Sequence, residues 1–401
     1  MEHFGKQAVQ AHKPTAEEQE LILNIMEDAY APTTWNIPFD LFTKDHFMRC
    51  LKGLDNQSSP GWPYKREAPT IGQWLGFNGV WYDPVRIEEL WFDTKLVIMG
   101  RFEHIMYAFI KPEPHKKAKV DLGRWRLIIA SALPVQMAWR MCFQEQNDRE
   151  IDYSYFIPSQ QGITLFGGAW KQYLRQWKAA GYDTGLDKSA FDFTAAGWAL
   201  KLDLEYRRRM SRGSQDLTDE WYQVASRLYY DMFRTSKILM PEGYVWEQQF
   251  WGYMKSGCVN TISTNSHLQI MYHILACWEQ NVSVHPLPVA CGDDTLQRLD
   301  QATDLKAYSK YGLVVKSASD ELEFVGHEFT DEGPMPLYSE KHICALIHCK
   351  EEVIPEYVEA MCRMYVHGTP EMVSFWHYLA RKLRVSVRSP EYYRTWYDWA
   401  D

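Results

Sequence analysis

The chain has 401 residues and a formal net charge of −9, with 15% aromatic residues that include 17 Trp and 24 Tyr. That composition excludes disordered and fibrous classes, supplies a sizeable core, and allows two or three domains. The 8 Cys (50, 142, 258, 277, 291, 344, 349, 362) show no C-x-x-C spacing, and neither an apolar leader nor an 18-residue apolar run is present, so a reducing compartment is expected rather than secretion or a membrane span.

Residues 1–14 read as a loose arm. Thr15 and Glu18 form a capping box opening a helix with apolar positions Leu21, Leu23, Ile25 and Met26, which runs to Pro32. The segment Ser58-Ser59-Pro60-Gly61-Trp62-Pro63 cannot continue a helix or central strand and reads as a rigid loop. A strand over 106–110 enters a basic segment and a strand over 126–130 leaves it. From 101 to 126 the chain carries Arg101, Lys111, Lys116, Lys117, Lys119, Arg124 and Arg126 against Glu103, Glu113 and Asp121. A second basic run holds Arg381, Lys382, Arg384, Arg388 and Arg394. The acidic total argues mildly against a nucleic-acid partner, but basic channels in an acidic shell suit an enzyme that threads a polyanion. Either run alone is equally consistent with a solvated face.

Further on, a strand over 181–186 ends at Asp187, and helix follows through Tyr206-Arg207-Arg208-Arg209. Residues 264–278 have helical spacing, with Leu268, Met271, Tyr272 and Leu275 on one face. A short strand over 287–291 leads into a turn at Gly292-Asp293-Asp294, and Thr295-Leu296 begins the return strand. Helix over 304–311 ends at Gly312, a strand covers 313–315, and 323–329 reads as a hairpin. This β–α–β–β–α–β order predicts a ferredoxin-like sheet in an α+β fold. Pro286 and Pro288 conflict with a central strand before Gly292, so that strand must be short or bulged. From Leu337 the chain is mainly helical and ends in Tyr392, Tyr393, Trp396, Tyr397 and Trp399.

Three fragments in series carry chemistry: Asp187-x4-Asp192, then Ser256-Gly257-x3-Thr261-x3-Asn265-Ser266, then Gly292-Asp293-Asp294. A Gly-Asp-Asp tripeptide alone arises by chance in roughly one chain of this length in ten, whereas the middle pattern fixes five residues and is rarer by a factor of several hundred. Nucleotidyl transfer needs an activated hydroxyl and a neutralised pyrophosphate. Two divalent ions held by carboxylates from different strands meet both needs, and hard cations such as Mg²⁺ take carboxylate oxygens. Any one of these Asp taken alone is as readily a turn residue or helix cap; the ordered set is not.

On these fragments the chain resembles the RNA-dependent RNA polymerases of positive-strand RNA viruses, and within them the sobemovirus-like and barnavirus-like polymerases. The resemblance covers about residues 55–330 and implies a right-hand fold. Residues 1–178 would form an arm and fingers with a basic nucleotide-entry loop at 106–131. Residues 179–336 would form a palm with an interposed fingers segment at about 212–250, and 337–401 a small helical thumb. It implies template-directed RNA synthesis for a viral genome with Mg²⁺, for which Mn²⁺ can substitute. Asp187, Asp293 and the weaker Asp294 would bind two metals, and Lys316 would be the general acid that protonates pyrophosphate. Asp192 and Asn265 would test the ribose 2′-hydroxyl, with Ser256, Gly257 and Thr261 beside them and Gly257 supplying backbone freedom. Arg126 would lie on the triphosphate, with Lys111, Lys119 and Arg124 lining the channel and Glu113 orienting a basic neighbour. Ser59 and Gly61 would guide template, and Phe324 and Gly326 would grip primer. RNA template, nascent RNA and ribonucleoside triphosphates would be its partners, with other viral replication proteins or a protein primer, in host-cytoplasm replication complexes.

A reverse transcriptase shares such a palm but normally has an aromatic-x-Asp-Asp third motif. A non-catalytic RNA-binding scaffold would normally have lost a metal ligand. No P-loop and no Gly-x-Ser-x-Gly elbow occurs, and His342, Cys344, His348 and Cys349 match no common zinc spacing.

Overall fold

The computed structural model describes residues 10–115 and 117–399. Helix α1 (Ala16–Ala29) begins at the expected capping box: Thr15 Oγ1 accepts from the Glu18 N–H at 3.1 Å, and Glu18 Oε2 accepts from the Thr15 N–H at 2.6 Å. Its buried face is Ile22, Leu23 and Met26, while Leu21 is exposed. The i, i+4 pair 22/26 therefore faces the core, and the stripe is offset by one position from the expected one. Residues 10–14 are not a loose arm: the His12 N–H donates to Lys310 O at 2.8 Å and Pro14 is buried. Residues 1–9 lie outside the described residues.

Strands β1 (Ile105–Ile110) and β2 (Leu127–Ala130) pair antiparallel with Ile110 opposite Leu127, so residues 111–126 form the connection between them. Helix α2 (Leu133–Asp152) follows β2, and α3 (Ala169–Ala179) leads to strand β3 (Thr184–Lys188). Helix α4 (Gly197–Met210) and helix Gln215–Phe233 come next, then β4 (Lys237–Leu239) and β5 (Val245–Glu247), which extend the β1–β2 sheet. Helix α5 (Thr261–Gln280) precedes the hairpin β6 (Val289–Cys291) and β7 (Asp294–Gln297), and β8 (Val315–Ser319) follows. Strands β9 (Glu323–Phe324), β10 (His327–Thr330) and β11 (Gly333–Pro336) make a separate three-stranded meander. Its third strand was not expected, because Pro334 and Pro336 obscure it. The C-terminal part is helical: α6 (Ser339–Ile347), α7 (Ile354–Met364), α8 (Pro370–Lys382) and α9 (Pro390–Asp398). No helix among the described residues is long and apolar enough to cross a membrane.

A four-stranded antiparallel sheet, in the order β8-β3-β7-β6, lies between two hydrophobic clusters. Alternation along the strands divides the side chains between the two faces. Leu186 and Ala290 join the larger cluster with α1, α2, α4 and α5, whereas Val289 and Leu296 join the smaller one with α3, α7 and α8. Strand β6 is an edge of this sheet and begins only at Val289, so Pro286 and Pro288 precede it and cost no ladder hydrogen bond. Its free side is covered by 158–160, through Ala290 N–H to Pro158 O at 2.9 Å and Gln160 N–H to Ala290 O at 2.8 Å.

The larger cluster contains a fully buried ionic group. Arg207 Nε donates to Asp203 at 3.0 Å, and its other nitrogens reach Gln146, Asn147, Ser263 and Thr264. His267 sits between two carboxylates, with Nδ1 2.6 Å from Asp203 and Nε2 3.0 Å from both oxygens of Glu150. Both ring nitrogens face acceptors, which requires two N–H donors and therefore an imidazolium. The group is then neutral, two carboxylates against two cations, as deep burial demands. Burial alone would lower the His267 pKa, but Glu150 and Asp203 outweigh it and hold it above the ordinary value. The rings of Tyr30 and Tyr206 pack edge-on against it. A raised folded value means that this contribution is fully present below about pH 6.5, the unfolded value, and is lost as pH rises through the higher folded one. The melting temperature should therefore fall as pH is raised above neutrality, and His267→Gln should flatten that slope; a slope identical in both proteins would remove the imidazolium from the core.

Candidate active site

Strand β3 carries Asp187 and the β6–β7 hairpin carries Asp293 and Asp294. The two-residue connection places Gly292 first with φ +65°, where a Cβ would be strained, and Cys291 pairs with Asp294. Thr184 pairs with Gln297 and Gly185 with Leu296, a register that, carried on two residues, sets Asp187 level with Asp294. Asp187, Asp293 and Asp294 line one cleft of about 390 Å³ together with Lys188, Gly326 and Tyr338. Burial and the neighbouring Asp293 raise the Asp294 pKa, with Lys188 opposing. Crowded carboxylates of this kind are relieved by cations.

Two lysines supply positive charge there. The β8–β3 ladder pairs Val315 with Lys188 but Ser317 with Asp187, so Lys316 is the extra residue of a β-bulge inside the strand, not beyond a strand ending at 315. The bulge turns Lys316 toward Asp187, and Nζ lies 3.2 and 3.3 Å from the two carboxylate oxygens. Lys188 was not anticipated. It is buried behind the carboxylates and donates to Thr295 Oγ1. Burial lowers its pKa to about 7, against the pull of Asp294, Asp293 and Asp187. Alternation after Asp187 directs this side chain inward, a signal that its lysine identity concealed. The three carboxylates are hard oxygen donors suited to divalent cations. Among the described residues no three His, Cys, Asp or Glu side chains converge into a ready-made cage.

Helix α5 connects the other predicted residues to this cleft. Asn265 Nδ2 donates to Asp192 Oδ1 at 2.8 Å, while the buried Asn265 Oδ1 has no partner among the described residues. Burial raises the Asp192 pKa to about 6; Asn265 and Arg126 oppose that rise and Asp293 adds to it. One turn along, the Gly292 N–H donates to Ser266 Oγ at 2.9 Å, and Gln269 Nε2 donates to Gly292 O and Asp293 O at 3.3 and 3.0 Å. The same helix thus fixes both the Asp192 partner and the Asp293 turn.

Of the middle motif, Gly257 differs from expectation in what it supplies. Gly257 has no left-handed φ, so freedom of backbone is not what it supplies. A Cβ there would lie 2.2 Å from Ile129 O, so glycine allows the loop to close onto β2. Ser256 Oγ accepts from the Ile129 N–H at 3.1 Å, and Thr261 Oγ1 donates to Lys255 O and Cys258 O at 3.0 and 2.7 Å. These bonds hold the loop together, and they leave Ser256 exposed and Thr261 half-buried.

In the basic connection, Glu113 gathers cations: Arg126 at 2.5 Å, Lys111 at 3.1 Å and, from α6, Lys341 at 3.9 Å. Arg124 is exposed. Lys116 and the side chain of Lys119 lie outside the described residues. Gly61, at φ +69°, packs a Cβ position 2.2 Å from Ser131 O, and Ser59 Oγ accepts from the Gly61 N–H at 3.2 Å. The Pro60–Gly61 loop and the Ser256–Gly257 loop are therefore both seated along residues 129–132. Phe324 does not offer its ring to a primer: it is 1% exposed and packed against Trp177. Phe324 and Gly326 both border the cleft all the same, and the carbonyl of Gly326, a residue at φ +76°, accepts from the Leu337 N–H at 2.9 Å.

Residues 48–382 match the family model described as viral RNA-dependent RNA polymerase, and the chain belongs to that family. Among curated proteins, it is 28% identical over 406 residues to Protein P1-P2 of Turnip yellows virus, covering 88% of this chain and 37% of that protein. It is 31% identical to Protein P1-P2 of Potato leafroll virus, covering 63% and 25%. It is 30% identical to Replicase polyprotein P2AB of Southern bean mosaic virus, covering 56% and 23%. The chain thus spans between 23% and 37% of these relatives' length. Among solved structures, the Sicinivirus 3Dpol RNA dependent RNA polymerase superposes with a TM-score of 0.69 at 15% identity, over 96% of this chain and 85% of that one. That likeness is one of fold, a right-hand polymerase.

Proposed function

We propose that the chain synthesises RNA on an RNA template for a viral genome, by nucleotidyl transfer from ribonucleoside triphosphates. The observation that carries this reading is the Asp192–Asn265 pair, with its orphaned Asn265 Oδ1, on the same helix that holds the Asp293 turn. An acceptor left unpaired in a buried place is costly, and a ribose 2′-hydroxyl would satisfy it. A deoxyribose would leave it unmet, which disfavours the reverse-transcriptase reading. Retention of all three carboxylates disfavours a non-catalytic scaffold.

Two divalent ions, Mg²⁺ or Mn²⁺, held by Asp187, Asp293 and Asp294, would supply charge neutralisation at the attacking and leaving oxygens. Asp192 and Asn265 orient the sugar, Arg126 and Lys111 hold the triphosphate, and Lys316 carries a proton to the departing pyrophosphate. The β8-β3-β7-β6 sheet serves as the ferredoxin-like palm at 179–336, the β1–β2 region with its connection as fingers within 1–178, and 337–401 as the thumb. Template RNA, nascent RNA and other viral replication proteins are its partners, in replication complexes of the host cytoplasm.

Asn265→Ala tests the assignment. Loss of a hydrogen bond to a charged group is worth about 1.5–3 kcal/mol, so the preference for ribo- over deoxyribonucleotide should fall roughly 10- to 100-fold in single-nucleotide extension. Unchanged discrimination would remove the pair from sugar selection.

A further inference from the structure

We infer that Lys341, in the first turn of α6, belongs to the triphosphate-binding wall of the nucleotide site. No motif assigns it, and it lies more than 200 residues along the chain from the other cations there.

Glu113 is nearly enclosed, its side chain 12% exposed, and three cations surround it. One carboxylate neutralises one of them, and the surplus charge favours an anion beside it. Lys341 and Arg126 keep 50% and 57% of their side chains exposed, so both are free to reach a ligand. The Glu113 carboxyl is held below its usual range by Lys111, Arg126 and Lys341 against its own burial. Arg126 also acts on Asp192, which ties this charge to the sugar-facing end of the site.

The backbone shows how Lys341 arrives there. Tyr338, immediately before α6, is held at φ +63°, a left-handed conformation that a bulky residue rarely adopts. Leu337 is tied to Gly326 by its N–H, and the Lys341 N–H donates back to Tyr338 O at 2.9 Å. This sharp entry sets Tyr338 against the cleft that holds Asp187, Asp293 and Asp294, and sets Lys341, three residues on, against Glu113. One helical turn therefore touches both the carboxylate cleft and the basic cluster. A nucleoside triphosphate has sugar, phosphates and bound cations in one extended object, and this turn borders the space between the groups that would hold them. That the anion is a nucleotide's triphosphate rests on the proposed function; that the cluster binds a polyphosphate does not.

Inorganic tripolyphosphate is the probe, titrated calorimetrically into the wild-type chain and into Lys341→Ala and Lys341→Arg. Lys341→Ala should weaken binding about tenfold with an unchanged melting temperature, and Lys341→Arg should restore most of it. In primer extension the same alanine variant should raise KM for ribonucleotide about tenfold with little change in kcat. Equal tripolyphosphate affinity in wild type and Lys341→Ala would overturn the inference while leaving polymerase activity standing. A wild-type chain that binds tripolyphosphate through Lys341 but never extends a primer would instead overturn the proposed function.

Discussion

Replacing Asp293 by alanine is expected to lower nucleotide incorporation by at least about a thousandfold, with the folded protein otherwise intact. Asp293 is the exposed residue of the two-residue turn, and what Gln269 grips is its backbone carbonyl, which alanine keeps. Stability should therefore be nearly unaffected, so the loss would be chemical. Extension of an RNA template–primer by purified protein with Mg²⁺ or Mn²⁺, beside melting curves of both proteins, separates the two effects. Comparable extension rates in wild type and variant would overturn the assignment of Asp293 and, with it, the reading of the cleft.

The second large effect is thermodynamic. Arg207→Met is expected to destabilise the chain by about 3–5 kcal/mol, because it leaves Asp203 and Glu150 facing a single imidazolium in a fully buried site. Asp203 would lose the contact that, with His267, keeps its carboxyl well below the usual range against its burial. Tyr229, which donates to the same Asp203 oxygen at 2.6 Å, cannot replace a charge. Urea unfolding would report the loss as a lower midpoint at unchanged slope. A midpoint within experimental error of wild type would mean that the buried group stores no such energy.

Short-range grammar made much of this molecule legible. The Thr15/Glu18 box, the strands flanking the basic connection, helix α5 and the Gly292–Asp293 hairpin each obey a local rule of period, cap or turn, and each forms as expected. Asp192 and Asn265 lie 73 positions apart, and it was the resemblance to viral polymerases, not any local rule, that anticipated their meeting. What remained hidden depends on long-range placement. A bulge at Lys316 changes no residue type, so nothing in the sequence marks it. Lys188 and Lys341 drew no expectation at all, because only the partners that surround them show their place. The two prolines before Val289 were a puzzle only while β6 was taken for an inner strand; at an edge they are permitted. Phe324 shows the reverse: its ring packs on Trp177 in the core, although the residue borders the cleft.

Helix α5 has a consequence for how such a chain can change over generations. Its Ser263, Thr264 and His267 engage the buried ions, while Asn265, Ser266 and Gln269 engage Asp192 and the Asp293 turn. A shift of the helix that accommodates one altered neighbour displaces every other contact at once. Substitutions along it should be strongly non-additive, and viable variants should carry paired exchanges between α5 and α2 or α4 rather than single ones. The stretch proposed to select the sugar would then be among the slowest in the chain to drift, held from behind by the buried ions.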